Sequence, residues 1–456
     1  MNRLLFFIAF ILISHFAFSQ NKSITTIDFN PYEIPVDIIQ VSDGYFITGT
    51  TGNHSTDTQF FYLKTDENFN VIFSHIASYN NSSIGTKILK TESDNLLLNG
   101  YIGYHYSQVD VLLFKLNNDG EILDDFSIID NTQSIWRGFS KKSNVDKFCF
   151  YGMLNDQNTI IETDADFNSF WETNTEFFIL NSLYTNDGII SMAQTPYDEP
   201  VFFDYLDFIK YDLNGNQVWH KRYGNYQAYS GKTILNLPNN EILFAGSSSN
   251  YEEFPNIFLY NIDSEGNENW QKTIGDLSNE MICNDAILIG SQIFLVGTVS
   301  HNNPNNGLLI KTDLSGNIIW SKEYPISDAS VEISKILQKD DESLLLIGNK
   351  RNNYAPSEQD IIIIETNLDG TITNTSQINT PSIEIKIHPN PADDLLKICN
   401  KSITEIETIS IINSKGQEVM NIPYSNEIDI KTLSKGVYII KITGDNKSFT
   451  EKIIIN

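Results

Sequence analysis

Lys311-Thr312-Asp313-Leu314-Ser315-Gly316-Asn317-Ile318-Ile319-Trp320 is the stretch from which the fold can be read. Asp-x-x-Gly is turn chemistry: the Asp side chain caps backbone N–H groups and Gly accepts a positive φ. An aromatic residue follows four positions past the Gly. The turn recurs as Asn117-Asn118-Asp119-Gly120, Asp212-Leu213-Asn214-Gly215, Asp263-Ser264-Glu265-Gly266 and Asn367-Leu368-Asp369-Gly370. Asp66-Glu67-Asn68-Phe69 and Asp164-Ala165-Asp166-Phe167 are degenerate copies, and Phe73, Trp171, Trp219 and Trp270 stand where Trp320 does.

A second marker shares this period of about fifty residues. It is an apolar run ending in Gly: Phe46 to Gly49, Leu97 to Gly100, Cys149 to Gly152, Leu243 to Gly246, Phe294 to Gly297 and Leu345 to Gly348, with Ile190 to Ala193 filling the remaining slot. Seven copies, each with several short strands, predict a seven-bladed β-propeller of four-stranded blades over residues 20–378. A blade alone cannot bury both faces, so blades must stack. The Trp would fill the wedge between neighbours. Ile24 to Phe29 reads as an outer strand placed ahead of the first blade and able to latch the last one, a place for which Thr371 to Gln377 competes.

The last stretch has a different texture. Seven short runs alternate apolar and polar residues near 383–388, 395–398, 408–412, 417–420, 427–430, 436–442 and 449–455, which suits a small Ig-like β-sandwich. Within it lie Pro389-Asn390-Pro391, a turn ending in Gly416, Leu433-Ser434-Lys435-Gly436-Val437-Tyr438, and Lys452 before a closing apolar run. In that order these motifs resemble the C-terminal sorting domain of the type IX (Por) secretion system of Bacteroidetes-type bacteria. His388 departs from the Tyr that often precedes Pro-Asn-Pro in that family. The resemblance covers 382–456, with 379–381 as linker. It implies recognition by the type IX translocon and its sorting machinery, followed by attachment to the cell surface or release. Gly436 and Tyr438 read first as turn and core.

Met1-Asn2-Arg3 followed by a mostly apolar Leu4 to Ala17 and Ala17-Phe18-Ser19 reads as a secretory signal peptide over 1–19. No Cys stands near that junction, and no later run is long and apolar enough to span a bilayer. Signal and tail together predict export through the periplasm to the outer surface. The three cysteines, Cys149, Cys283 and Cys399, are odd in number and far apart, which points to buried small hydrophobes rather than a disulfide framework. The net charge is −28; the tail from Ile383 holds nine Lys and ten Asp/Glu, so −27 falls on the rest. Such a surface repels nucleic acid and anionic membrane.

The Asp-x-x-Gly-x-x-x-Trp segment also resembles the blade motif of quinoprotein-like (PQQ-like) propellers. There is no vicinal Cys pair or recognisable quinone or calcium site, so no cofactor is expected. The turns are not EF-hand loops, which need Gly sixth and an acid twelfth; no metal is expected. No nucleophile elbow, P-loop, dinucleotide fingerprint or H-E-x-x-H occurs, and no catalytic residue is assigned. Loops after the marker Gly should share one face. They carry Tyr101, Tyr104, His105, Tyr106, Asp110, Tyr197, Asp198, Glu199, Tyr251, Glu252, Glu253, Phe254 and Tyr354, with His54, Asp57 and His301. Rings beside carboxylates suit sugar stacking and hydroxyl recognition, so Tyr104, His105, Tyr197, Asp198, Glu199, Tyr251, Glu252 and Tyr354 form the expected ligand face. The leading expectation is a non-catalytic glycan- or protein-binding module. The alternatives are a propeller glycoside hydrolase or lyase using paired loop acids about 5–10 Å apart, and a structural surface-layer component.

Overall fold

In the computed structural model the described residues are 24–30, 32–52, 58–77, 82–104, 108–128, 134–194, 206–223, 228–249, 254–275, 279–301, 304–340, 342–352, 358–372, 385–388, 392, 394–400, 406–413, 418–423, 425, 427–444 and 447–455. The signal-peptide and linker segments lie outside them. They form an all-β, propeller-like chain in two compact units divided between Thr375 and Ser376.

The first unit contains seven four-stranded antiparallel sheets: sheet 1 (33–77), sheet 2 (83–128), sheet 3 (135–174), sheet 4 (178–223), sheet 5 (228–274), sheet 6 (280–324) and sheet 7 (329–367). Sheets 1 to 6 are simple meanders. Sheet 7 takes its fourth strand from Ile24–Ile27, which pairs with Gln359–Asn367 in the register Ile24 to Ile364. The sequence left this place open between two segments, and Ile24–Ile27 occupies it. Buried side chains of sheet 7 (Leu345, Ile347, Ile361, Ile363) join those of sheet 1 (Ile38, Ile47, Phe61, Leu63) in one cluster, so the last sheet packs on the first.

The marker glycines do not end strands as the sequence suggests. Gly49 lies inside Gly44–Gly52, Gly100 inside Leu96–Tyr104 and Gly348 inside Ser343–Asn352. Their purpose is clearance. Each first strand carries a β-bulge at one position: after Pro35, Gly85, Trp136, Ile179, Gly231, Cys283 and Ile333. The marker residue pairs with the residue just before each bulge, and a Cβ on Gly348 would meet the Glu332 carbonyl oxygen at 1.8 Å. The bulge pushes the first strand against its neighbour's backbone, and only the smallest residues fit.

The turn glycines solve a second problem. Gly316 has φ +71, and a Cβ there would stand 2.8 Å from the ring of Trp270 in the preceding sheet. The same seat joins Gly120 to Phe73, Gly215 to Trp171, Gly266 to Trp219 and Gly370 to Trp320. Each aromatic thus rests on the next sheet's turn. At the two remaining seams the arrangement is inverted. Sheet 2 has Asp124 at the aromatic position, and strand Ile24–Ile27 has no aromatic residue. There the facing turns carry Phe167 (φ 61) and Phe69 (φ 63) in place of Gly. Phe69 is buried in the cluster joining sheets 7 and 1, and Phe167 packs on the cluster joining sheets 2 and 3. The degenerate turns are therefore complements: the ring that fills the wedge comes from the turn when the neighbour supplies none.

The second unit has a three-stranded sheet (Ile385–His388, Leu395–Asn400, Glu427–Asp429) and a four-stranded sheet (Glu418–Pro423, Ile406–Asn413, Gly436–Gly444, Lys447–Ile455). All seven expected runs are strands. One apolar core, including Leu396, Ile398 and Ile428 from the first sheet and Ile409, Ile411, Ile440, Ile442 and Ile453 from the second, joins them.

The seam makes testable demands. Gly316→Ala should destabilise by about 2–4 kcal/mol in urea unfolding, combining the strain of a side chain at positive φ with overpacking on Trp270. The penalty should shrink in a Trp270→Ala background, because the clash is gone. Phe167→Gly should cost about 3 kcal/mol by emptying the wedge, and adding Asp124→Trp should recover part of the loss.

Candidate functional site

Most of the expected ligand face lies outside the described residues: His105, Tyr197, Asp198, Glu199, Tyr251, Glu252 and Tyr354, with His54, Asp57, Tyr106 and Glu253. Tyr104 is not in a loop; it closes strand Leu96–Tyr104, because that strand runs four residues past Gly100. Tyr101 lies in the same strand, and Asp110 lies in Gln108–Leu116. Phe254 is 48% exposed. His301 is held by Asn279 Oδ1 at 2.9 Å on Nδ1 and by Glu323 Oε2 at 2.9 Å on Nε2, with Asn306 Nδ2 donating to Glu323 at 2.8 Å. That polar network ties loop ends of sheet 6 together.

Two constellations went unnoticed in the sequence. The first begins at the bulges. Lys335 Nζ lies 3.3 Å from Asp285 Oδ2 and 3.7 Å from Asp37 Oδ1, joining sheets 7, 6 and 1. Asp37 Oδ2 accepts from the Ile88 backbone N–H of sheet 2 at 3.0 Å, and Asp285 Oδ2 from the Ile336 N–H of sheet 7 at 3.3 Å. Ser334 Oγ donates to the Pro35 carbonyl at 3.1 Å across the seam from last sheet to first. Lys87 of sheet 2 faces the same group. Burial, with the nearby Lys335 charge, pushes the Lys87 amine down to about 8, against the opposing pull of Asp37 and Asp285. Burial also works against the Lys335 charge, but Asp285 and Asp37 outweigh it and hold that ammonium above the ordinary lysine value. First strands of sheets 1, 2, 6 and 7 therefore converge on two carboxylates and two amines. The signal available was the repeat itself: Asp37 and Lys87, like Asp285 and Lys335, are 50 residues apart and so hold equivalent positions in successive copies.

The second lies at the loop end of sheet 4. Asp207, fully buried, faces His220 Nε2 at 2.7 Å and accepts from Arg222 Nε at 2.9 Å. The Phe177 ring lies 4.4 Å from the imidazole, centre to centre. Asp207 fixes the orientation of both side chains, the imidazole and the guanidinium, at this end of sheet 4.

A cleft of 610 Å³ opens on the opposite, turn-bearing edge between sheets 3, 4 and 5, lined by Lys142, Tyr184, Asp187, Lys210, Asn240 and Ser264 among others. Its polar groups are engaged in the seam: Lys210 Nζ pairs with Asp187 Oδ2 at 2.7 Å and reaches the Ser264 carbonyl at 3.3 Å, and Tyr184 donates to Glu162 at 3.1 Å. The turn aspartates are occupied likewise. Asp313 Oδ1 accepts from the Ser315 and Asn317 N–H groups at 2.9 and 2.8 Å, and the Asn317 side chain with these N–H groups holds its carboxyl below the ordinary range. This is the turn chemistry expected of Asp-x-x-Gly. Cys149 and Cys283 are buried, and burial pushes the Cys149 thiol up to about 12; of Cys399 only the backbone is described.

In the tail, Tyr438 is buried in the core and its hydroxyl donates to the Ser434 carbonyl at 2.7 Å. Gly436 opens strand Gly436–Gly444 opposite Ile455, and Lys452 pairs with Ile439. Pro389, Asn390, Pro391 and Gly416 lie outside the described residues.

Residues 386–456 match the family described as the secretion system C-terminal sorting domain. The chain ends in a type IX sorting domain, which implies contact with the type IX machinery, export, and placement at the cell surface or outside the cell. No curated protein matches the chain. Similar solved structures include the β-propeller domain of the Trilobed protease from Pyrococcus furiosus (11% identity, TM-score 0.47, covering 77% of this chain and 100% of that one). BamB from Moraxella catarrhalis (11%, 0.40, 75% and 99%) and the polysaccharide lyase Uly1 (9%, 0.48, 73% and 89%) are also similar. No helix among the described residues is long and apolar enough to cross a membrane.

The central cluster yields a titration test. Lys335→Met removes the like charge facing Lys87, so the Lys87 pKa should rise from about 8 toward the ordinary value. NMR titration of the reductively ¹³C-methylated protein reads this directly; an unmoved Lys87 resonance would contradict the shared cluster.

Proposed function

We propose that this chain is a type IX cargo of a Bacteroidetes-type bacterium in which a seven-bladed propeller, a recognition module for a glycan or protein, is delivered by an Ig-like sorting tail. The observation that carries it is the sorting-domain match over 386–456 on a unit with its own core. The boundaries follow: signal peptide 1–19, propeller 20–378, linker 379–381 and sorting domain 382–456. The tail is removed at the outer membrane, and the propeller is attached to the surface or released.

Support for binding comes from the two edges of the sheets. The turn edge is uniform, with Asp-x-x-Gly, its Asn-x-x-Gly equivalent (Asn117, Asn367) or the Phe complement in every sheet. On the other edge the connection between second and third strands varies from two residues (155–156) in sheet 3 to eleven (195–205) in sheet 4. A rigid scaffold bearing variable loops on one edge is the usual arrangement of a recognition surface. Tyr197, Asp198, Glu199, Tyr251, Glu252 and Tyr354, with Tyr104 and His105, are the residues proposed to contact the ligand.

Deleting 382–456 should leave the protein in the periplasm; surface delivery of the truncated chain, read by protease accessibility on intact cells, would sink the cargo reading. On a polysaccharide and surface-protein panel the full chain should bind without turnover. Tyr197→Ala with Asp198→Ala should weaken that binding at least tenfold. Product formation abolished by Asp198→Ala or Glu199→Ala would instead establish a hydrolase or lyase.

A further inference from the structure

Three carboxylates from three stretches of chain meet where the N-terminal strand passes from sheet 7 to sheet 1. Asp28 follows Ile24–Ile27, Glu33 opens Glu33–Val41 of sheet 1, and Asp360 lies in Gln359–Asn367 of sheet 7. One oxygen from each lies within 4.8 Å of the other two. The backbone enforces the meeting: Tyr32 bridges Gln359, and the Gly52 N–H donates to the Tyr32 carbonyl at 3.1 Å.

Glu33 is the unusual member. It is 0% exposed. Oε1 accepts the Phe29 N–H at 3.2 Å and the Asn30 N–H. Oε2 is buried with no hydrogen-bond partner. One amine stands at the rim: Lys350 Nζ, 3.3 Å from Asp360 Oδ2. A buried carboxylate with an unpartnered oxygen and two further acids beside it is costly unless a cation or proton joins them.

We infer that this seam binds one divalent cation, and that the cation is calcium. The donors are all carboxylate oxygens, the choice of a hard cation, with no His or Cys to favour zinc or copper. Calcium accepts a flexible shell of oxygens at about 2.3–2.6 Å, which suits carboxylates brought together from three separate stretches of chain, whereas magnesium demands near-ideal octahedral geometry at about 2.1 Å and gives up its waters reluctantly. The ion would tie Asp28, beside the latch strand, to both sheets that the strand joins. Binding would hold the seam closed where that strand contributes only four residues.

Calorimetric titration of the full chain with calcium chloride should show one site per chain with a Kd of about 10⁻⁴–10⁻³ M, the range of extracellular modules. Calcium about tenfold above Kd should raise the Tm by about 3 °C. Magnesium should bind at least tenfold more weakly. Glu33→Gln keeps the acceptor for the Phe29 and Asn30 N–H groups but removes the charge; it should weaken calcium binding at least tenfold and abolish the Tm shift. Asp28→Asn, at the exposed rim, tests the same site without touching the core and should also weaken binding. Absence of stoichiometric binding, or wild-type affinity in both variants, overturns the site; equal magnesium affinity overturns the assignment to calcium.

Discussion

The contact on which the first unit depends is an aromatic ring seated on a neighbour's turn. Where the fourth strand of one sheet faces the next sheet's turn a wedge is left, and apolar surface in that wedge would be wet. The ring of Trp171, Trp219, Trp270, Trp320 or Phe73 fills it, provided that the next turn offers no Cβ. One residue therefore answers two requirements: a turn needing positive φ, and a seat needing no side chain. Where Phe69 and Phe167 accept positive φ despite the usual penalty, they do so because the neighbour sends no ring. The wedge must be filled, and the source is interchangeable.

The bulges act at the other end of each sheet. They bend all seven first strands at one level, and the residue after the bulge is turned toward its neighbours. Sheets 1, 2, 6 and 7 place Asp37, Lys87, Asp285 and Lys335 there, and the carboxylates receive backbone N–H groups from the next sheet. The marker glycines are the footprint of this bend on the adjacent strand. Packed seams at the fourth strands and cross-linked bulges at the first strands leave the connections between second and third strands free to vary in length.

The seam between sheets 7 and 1 differs from the others because the strand that completes sheet 7, Ile24–Ile27, precedes sheet 1 in the chain and joins the last sheet by pairing alone. A four-residue latch, a Phe in the turn, the Ser334 hydroxyl on the Pro35 carbonyl and the proposed cation together do there what a single meander connection and a Trp do elsewhere. The tail is built on other terms. Its two sheets bury one aliphatic core, and within that core Tyr438 serves as a packed side chain with a satisfied hydroxyl.

Much was legible in the sequence because repetition makes local chemistry visible. Asp-x-x-Gly, the aromatic four residues on, and apolar runs of strand length depend only on near neighbours, so each copy testified to the same turn and strand. The ordered motifs of the tail were legible for a similar reason, each confined to a few residues. Only the tertiary structure decided what those glycines face, why two turns carry Phe, and which segment completes the last sheet. It alone brought Asp37 to Asp285 and Asp28 to Asp360, pairs separated by most of the chain. Such contacts arise when the last sheet meets the first, and a sequence records local conformational preference far more plainly than it records which distant side chains will share a buried space.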